Sequence, residues 1–267
     1  MSLSNVLFPE RFKNPARYYT TGRPRYPKLL TRRVADLVQL TTRDTVLDLG
    51  TGPGFLAIDY ATLAGQVVAI DPSEEMLAVA RENAARAGVD VRFVRGSSFA
   101  LPSDLGPLQL VTMGRSFHWM DREATVLSLN GLIARGGAIA LFGERYPELP
   151  DNAWYPAFRA LLDSYSRQDP AQTRTRGLSP HEAVLYARGF DHIERISVFE
   201  ARRTPIQHIV DRALSFGASW DGRPGSREDD LAHEVRALIE PSAEDGLVRE
   251  VIEGHALIAF RSRDRDQ

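Results

Sequence analysis

The residues best suited to chemistry gather around three glycines at alternate positions. Gly50, Gly52 and Gly54 follow the apolar run Thr45-Val46-Leu47 and the acid Asp48, and a helix-like pattern begins at about Phe55. The physical reading is a buried strand, a tight turn and a helix N-terminus. Glycine suits such a turn because the chain needs φ > 0 and a ligand close to the main chain leaves no room for Cβ. The free N–H groups and positive dipole end of the helix then face that ligand. A unit of this kind usually binds a nucleotide-like molecule. A diphosphate fits poorly here. The spacing is G-x-G-x-G rather than G-x-G-x-x-G, Pro53 removes one N–H, and the Asp48 carboxylate would repel a diphosphate. Positive charge or hydroxyl donors on the ligand suit it better.

A second acid, Asp71, ends the apolar run Val67-Val68-Ala69-Ile70. An acid at such a strand end can accept both hydroxyls of a ribose. Its competing role is to cap the next helix, because Pro72-Ser73-Glu74-Glu75 follows directly. Asp71 alone does not choose between an adenosyl cofactor and NAD.

Asp48-Leu49-Gly50-Thr51-Gly52-Pro53-Gly54 resembles the first motif of class I S-adenosylmethionine (SAM)-dependent methyltransferases, and the resemblance runs in motif order over roughly residues 17–145. It implies that Asp48, Gly50, Thr51, Gly52 and Gly54 lie against the cofactor, with Asp71 and Pro72 at the ribose and Met76 near the adenine. Gly96-Ser97-Ser98-Phe99-Ala100-Leu101-Pro102 matches in outline the family's adenine clamp, Gly-Asp-Ala-x-x-Leu-Pro. Ser97 replaces the usual acid there, and its hydroxyl accepts only a neutral hydrogen bond. The Ser98 N–H could serve the ring nitrogen, and Phe99 stack or pack.

Two further segments resemble a small-molecule branch of the family. Tyr18 to Pro27 is similar to a Tyr…Arg-Pro-x-Tyr-Pro arm that folds over cofactor and substrate. The implied contacts are Tyr18, Tyr19 and Arg23, with Arg23 pairing the methionine carboxylate of SAM. Gly114-Arg115-Ser116-Phe117-His118-Trp119-Met120-Asp121 resembles that branch's Phe-His-Trp-x-Asp stretch. At a strand's carboxyl end it should border the reacting methyl, with Met113 toward the cofactor and Phe117 and Trp119 toward the acceptor. His118 is either a general base or a structural residue bonding the main chain. Trp119 reads as a pocket wall sooner than a cation cage. Trp154 is assigned to the substrate pocket. The Asn/Asp-Pro-Pro-aromatic signature is absent, which argues against nucleobase or protein-amide acceptors.

The elements that must position these groups follow from hydrophobic periodicity. Helical spacing covers 29–40, 54–64, 74–87 and 126–134, and Gly136-Gly137 is expected to end the last of these. Strands are expected at 44–49, 66–71, 91–94, 108–113, 138–143, 194–204 and 257–260, and further helices at 152–165, 179–188, 205–216 and 229–239. The expected fold is α/β: a Rossmann-like, doubly wound, seven-stranded sheet, mostly parallel with an antiparallel last strand, plus helical lid insertions. The domain reading is an N-terminal arm or lid (1–30), a SAM-binding core (31–145), a lid insertion (146–178) and a C-terminal part of the core (179–267) with a helical insertion at about 205–240.

Composition bounds the rest. The 267 residues are 43% hydrophobic with a net charge of −2, so no global basic field invites nucleic acid. The absence of cysteine excludes disulfides, thiolate metal sites and a Cys nucleophile, and fits a reducing cytoplasm. The histidines give no metal-ligand spacing, so no metal is expected. No apolar run of membrane-spanning length occurs. Arg174, Arg176, Arg202 and Arg203 read as a solvated face rather than an anion site. The expected activity is methyl transfer from SAM to a small-molecule acceptor, leaving S-adenosylhomocysteine, in a cytoplasmic monomer or homodimer. The alternatives are an NAD-dependent oxidoreductase and a non-catalytic SAM-binding protein.

Overall fold

The computed structural model describes residues 16–166, 180–216 and 226–261. In chain order the elements are α1 (Ala16–Gly22), α2 (Lys28–Leu37), β1 (Thr45–Leu49), α3 (Phe55–Tyr60), β2 (Gln66–Asp71), α4 (Glu74–Ala87), β3 (Arg92–Arg95), β4 (Leu108–Gly114), α5 (Arg122–Asn130), β5 (Ile133–Arg145), α6 (Tyr155–Ser166), α7 (His181–Ala187), β6 (His192–Pro205), α8 (Ile206–Ser215), α9 (Ser226–Ile239), β7 (Ala243–Glu244) and β8 (Leu247–Phe260). Short 3₁₀ turns cover Phe117–Trp119 and Pro150–Asn152.

The strands form one sheet in the order β3-β2-β1-β4-β5-β8-β6, with the two-residue β7 beside β8. Strands β1 to β5 pair in parallel, and β8 runs antiparallel to both β5 and β6. This is the expected doubly wound sheet with an antiparallel last strand, extended by β7. Strand order reverses between β1 and β4, the place where open α/β sheets leave a crevice at their carboxyl ends.

Side chains alternate between faces along each strand. Leu47, Leu49, Val68, Ile70, Val111 and Leu141 face α5 and α7. Val46, Val67, Ala69, Leu110, Ala140 and Phe142 face α2 and α3. A third apolar cluster joins helices outside the sheet: Trp154, Phe158 and Leu162 of the α6 region pack with Ile209, Val210, Leu231 and Val235 of α8 and α9.

Three boundaries differ from expectation. Helix α5 starts at Arg122, not 126, because Asp121 Oδ1 accepts from Ala124 N at 3.1 Å and caps it. Gly136 and Gly137 therefore lie inside β5, where a Cβ on Gly137 would come within 2.9 Å of the Leu108 carbonyl. Strand β8 begins ten residues before position 257, since Val248, Glu250 and Ile252 alternate inward beneath the lid. Much of the arginine-rich loop with Arg174 and Arg176 lies outside the described residues. Arg202 pairs with Glu200 at 2.6 Å on the outer strand. Among the described residues, no helix is long and apolar enough to cross a membrane.

Candidate active site

The three loop glycines all take positive φ (70°, 53° and 82°), a region that costs other residues about 1–2 kcal/mol. Their surroundings separate their roles. A Cβ on Gly50 would lie 2.6 Å from Ser116 Cβ, and one on Gly54 3.1 Å from Ala80 Cβ, whereas Gly52 has nothing within 4 Å on that side. Gly52 is thus the position where the main chain lies open to a ligand. Gly54, expected at the cofactor, instead caps α3 and packs on α4, off the crevice wall.

Asp48 reaches the crevice wall as expected, but most of its carboxylate is engaged inside the fold. Its carboxylate is 1% exposed and turned into the fold. Oδ2 accepts from Thr51 Oγ1 at 2.6 Å and Ala57 N at 3.2 Å, and Oδ1 from Thr112 Oγ1 at 2.8 Å. It ties β1, the loop, α3 and β4 together, leaving little of it for a ligand. Burial pushes its pKa up to about 6, against the opposing hydroxyl bonds from Thr51 and Thr112.

Asp71 is arranged differently. Ser73 is the cap of α4, its Oγ accepting from Met76 N at 3.2 Å, so Asp71 does not cap the helix. Asp71 Oδ2 accepts from Gly52 N at 2.8 Å and Oδ1 from Ser73 N at 2.9 Å. A carboxylate offers about four acceptor positions, so two remain at the crevice wall for a vicinal diol. Burial raises its pKa to about 6, partly offset by those two N–H groups. Around it the crevice is lined by Thr51, Pro72, Met76, Ser97, Ser98 and Phe99. Phe99 is a large apolar ring left 43% exposed there. Loop, acid and ring present what an adenosyl group needs: an unobstructed main chain, free diol acceptors and an apolar plate.

This crevice adjoins a second cavity of about 680 Å³, and Tyr19, Arg115, Ser116 and Trp119 line both. Arg115 stands at the junction with φ of 56°, a left-handed residue at the end of β4. Its Nη1 meets Glu144 Oε1 at 3.1 Å, and its guanidinium lies 4.8 Å from the Tyr26 ring centroid. Burial alone would raise the Glu144 pKa, but the Arg115 and Arg23 charges hold it below the usual carboxylate range.

The structure brings His118, Phe117 and Trp119 to the cavity wall, the His118 and Trp119 rings 4.8 Å apart. Met113, expected at the cofactor, is 1% exposed in the core and touches only the second cavity. Arg23 likewise lies on the second cavity and not on the cofactor crevice. Tyr18 and Trp154 lie on neither. The Tyr18 hydroxyl donates to Glu228 on α9. Trp154 packs edge-on against Tyr146 and Phe158 in the lid cluster. Both hold the lid together.

Sequence reasoning gave no role to Arg115, Glu144, His181 or His255, all on the cavity wall. Arg115 directly follows β4 and Glu144 is the penultimate residue of β5, so both lie at carboxyl ends of strands, a legible signal. The histidines do not. His181 reaches the cavity from α7, its ring 5.1 Å from Phe117. His255 arrives through the β5–β8 register opposite Gly143, where a Cβ would lie 2.5 Å from its Nε2.

Fold and crevice together define a class I SAM-dependent methyltransferase domain. Residues 46–137, which carry most of the crevice, match the family described as methyltransferase domain, and SAM is the cofactor of that class. An uncharacterized methyltransferase of Schizosaccharomyces pombe is 31% identical over 131 residues, 49% of this chain and 51% of the relative. The demethylmenaquinone methyltransferase of Thermus thermophilus is 33% identical over 134 residues, 49% of this chain and 60% of the relative. The chain thus spans about half to three-fifths of the length of these curated relatives. The YcgJ protein of Bacillus subtilis shares the fold at 19% identity, with a TM-score of 0.53 over 88% of this chain and 99% of that one.

Proposed function

We propose that this chain transfers a methyl group from SAM in the crevice to a small-molecule acceptor in the adjoining cavity. The observation that carries this reading is the shared wall of the two spaces, formed by Tyr19, Arg115, Ser116 and Trp119. A cavity of about 680 Å³ falls in the usual size range for small-molecule sites. Bound SAM supplies a methyl on a positively charged sulfur with its own leaving group. The protein therefore needs mainly to position and to exclude water, and alignment of this kind is worth about 7–11 kcal/mol.

Each chain group has a role in that reading. The free acceptor positions of Asp71 take the ribose hydroxyls, Gly52 gives the main-chain approach, and Ser98 and Phe99 hold the adenine. Arm helix α1 and the lid cluster close the cavity from water. An imidazole nitrogen of His118 takes the proton of an acceptor that must lose one. Calorimetry with SAM on wild type and Asp71→Ala tests the first half: equal affinity would refute the ribose assignment. Labelled SAM incubated with a small-molecule extract tests the second, since binding without transfer would make this a SAM-binding protein only. Unchanged kcat in His118→Ala would dismiss the base.

A further inference from the structure

Three arginines converge on the base of the lid, and two of them are matched. Arg115 meets Glu144 at 3.1 Å, and Arg212 meets Glu250 at 2.8 and 3.0 Å. Among the described residues, Arg23 meets no carboxylate within ion-pair distance. Its Nε donates to Ser215 Oγ at 2.8 Å and its Nη2 to the Ser215 carbonyl at 3.5 Å. Its guanidinium stacks 3.8 Å from the Phe216 ring centroid and 5.1 Å from that of Tyr19. Burial lowers its pKa, and the acid that most opposes this, after Tyr19, is Glu144, already bound to Arg115.

Elsewhere on the cavity wall, Arg145 of β5 has Glu253 of β8 as its cross-strand neighbour. Arg195 pairs with Glu182. Arg159 pairs with Asp163 at a loose 3.5 Å, and its guanidinium lies 5.9 Å from the same Phe216 ring. Two guanidinium groups therefore lie within 6 Å of one aromatic ring on the cavity wall. Of these two, Arg23 has no acid beside it among the described residues, and its planar fork is the geometry that takes a carboxylate or phosphate edge-on. Tyr19 stands between this fork and the crevice, lining both spaces, while Arg23 lines only the cavity.

We infer that Arg23, with Arg159 near the same Phe216 ring, is an anion subsite of the acceptor cavity, so that the acceptor carries a carboxylate or phosphate. This rests on reading the cavity as the acceptor site. It also reassigns Arg23, since the sequence pairs it with the methionine carboxylate of SAM. Both sources offer the same chemistry, and the experiment separates them.

Calorimetry on the full chain saturated with S-adenosylhomocysteine, using inorganic phosphate and benzoate as probes, provides the test. Wild type should bind at least one probe, and Arg23→Gln should weaken it by about tenfold, the loss of a charge-assisted contact, with cofactor-product affinity unchanged. Arg23→Lys should recover part of the loss, and Arg159→Gln should weaken the probe by a smaller factor. Three results would overturn the inference: no probe binding by wild type, unchanged probe binding in Arg23→Gln, or an equal loss of S-adenosylhomocysteine affinity in that variant, which would give the fork to the cofactor. If Arg23→Gln does not fold, the partly exposed Arg159 decides, and unchanged probe binding in Arg159→Gln overturns it. Failure of wild type to bind S-adenosylhomocysteine strikes the methyltransferase reading instead. Phosphate titrated into the cofactor-free chain would still read the subsite.

Discussion

The crevice and the adjoining cavity share a wall but are built in different ways. The crevice is made largely of three short loops, at residues 50–53, 71–76 and 96–99, each following a strand of the parallel sheet. Parallel pairing brings those strand ends together without further help. The cavity draws on residues from Tyr19 to Leu257. It exists only if β8 pairs in register with β5 and if the arm docks on the lid. That docking depends on a few buried polar links. Arg212 Nε donates to the Gly22 carbonyl at 3.2 Å, and Thr21 Oγ1 donates to Asp211 at 2.5 Å. A Cβ on Gly22 would come within 2.4 Å of Arg212 N, so the arm sits against the helix backbone. The lesson is one of division: the crevice is a property of the sheet, and the cavity a property of what is laid across it.

The largest expected effect attacks that division directly. Glu250→Ala leaves the Arg212 guanidinium, 4% exposed, without its partner. Breaking a buried pair this way costs about 3–5 kcal/mol, read as a fall in Tm. Affinity for S-adenosylhomocysteine should hold within about threefold where the protein is folded, as expected for well-separated sites. A matching loss of cofactor affinity would mean that crevice and lid are one unit.

Next is Asp71→Ala. Losing two hydrogen bonds to a charged group should weaken S-adenosylhomocysteine by about 100-fold, with phosphate binding in the cavity unaffected. Acidity probes the same carboxylate more gently. Its pKa is raised to about 6, and hydroxyl donors favour the ionised form. Binding strength is therefore present above pH 6 and lost as pH falls through it. At pH 5 affinity should be about tenfold below that at pH 7.5, and Asp71→Asn should flatten the profile. The same shift acts in the opposite sense on the stability of the cofactor-free protein, which should decline as pH rises from about 4 to 6 on account of Asp48 and Asp71.

The smallest effect comes from a pair of glycines. Gly52 and Gly88 both hold positive φ with nothing within 4 Å of an added Cβ. Alanine at either should cost about 1–2 kcal/mol of stability. Only Gly52→Ala should also weaken the cofactor product, because only Gly52 lines the crevice. Equal binding by both variants would remove Gly52 from the site.

Much of the crevice was legible before any coordinates. Gly50, Gly52, Asp71, Met76 and Ser98 are separated by short stretches whose strand and helix patterns are clear. The rule that ligands sit at carboxyl ends of strands places them together. Asp48 was legible in position but not in bonding: how much of a carboxylate at a strand end is left for a ligand depends on Thr112, more than sixty residues away. Tyr18 and Tyr19 carry the same ambiguity, since adjacent aromatics on one helix point to different faces, and only docking decides which one meets the cavity. Asp121 within the Phe-His-Trp-x-Asp stretch proved to be a helix cap, a role its local sequence permits and the chemistry obscured.

By itself the sequence determined the alternation that makes the sheet, the glycine turn that opens it and the acid at the neighbouring strand tip, because each depends on residues close along the chain. Only the tertiary structure decided that three of the six histidines line one cavity, that Arg23 borders it, and that Trp154 packs in the cluster of α6, α8 and α9. Those outcomes depend on strand register and helix docking between segments far apart in sequence, and the energy that selects among such arrangements resides in the packed whole rather than in any one stretch.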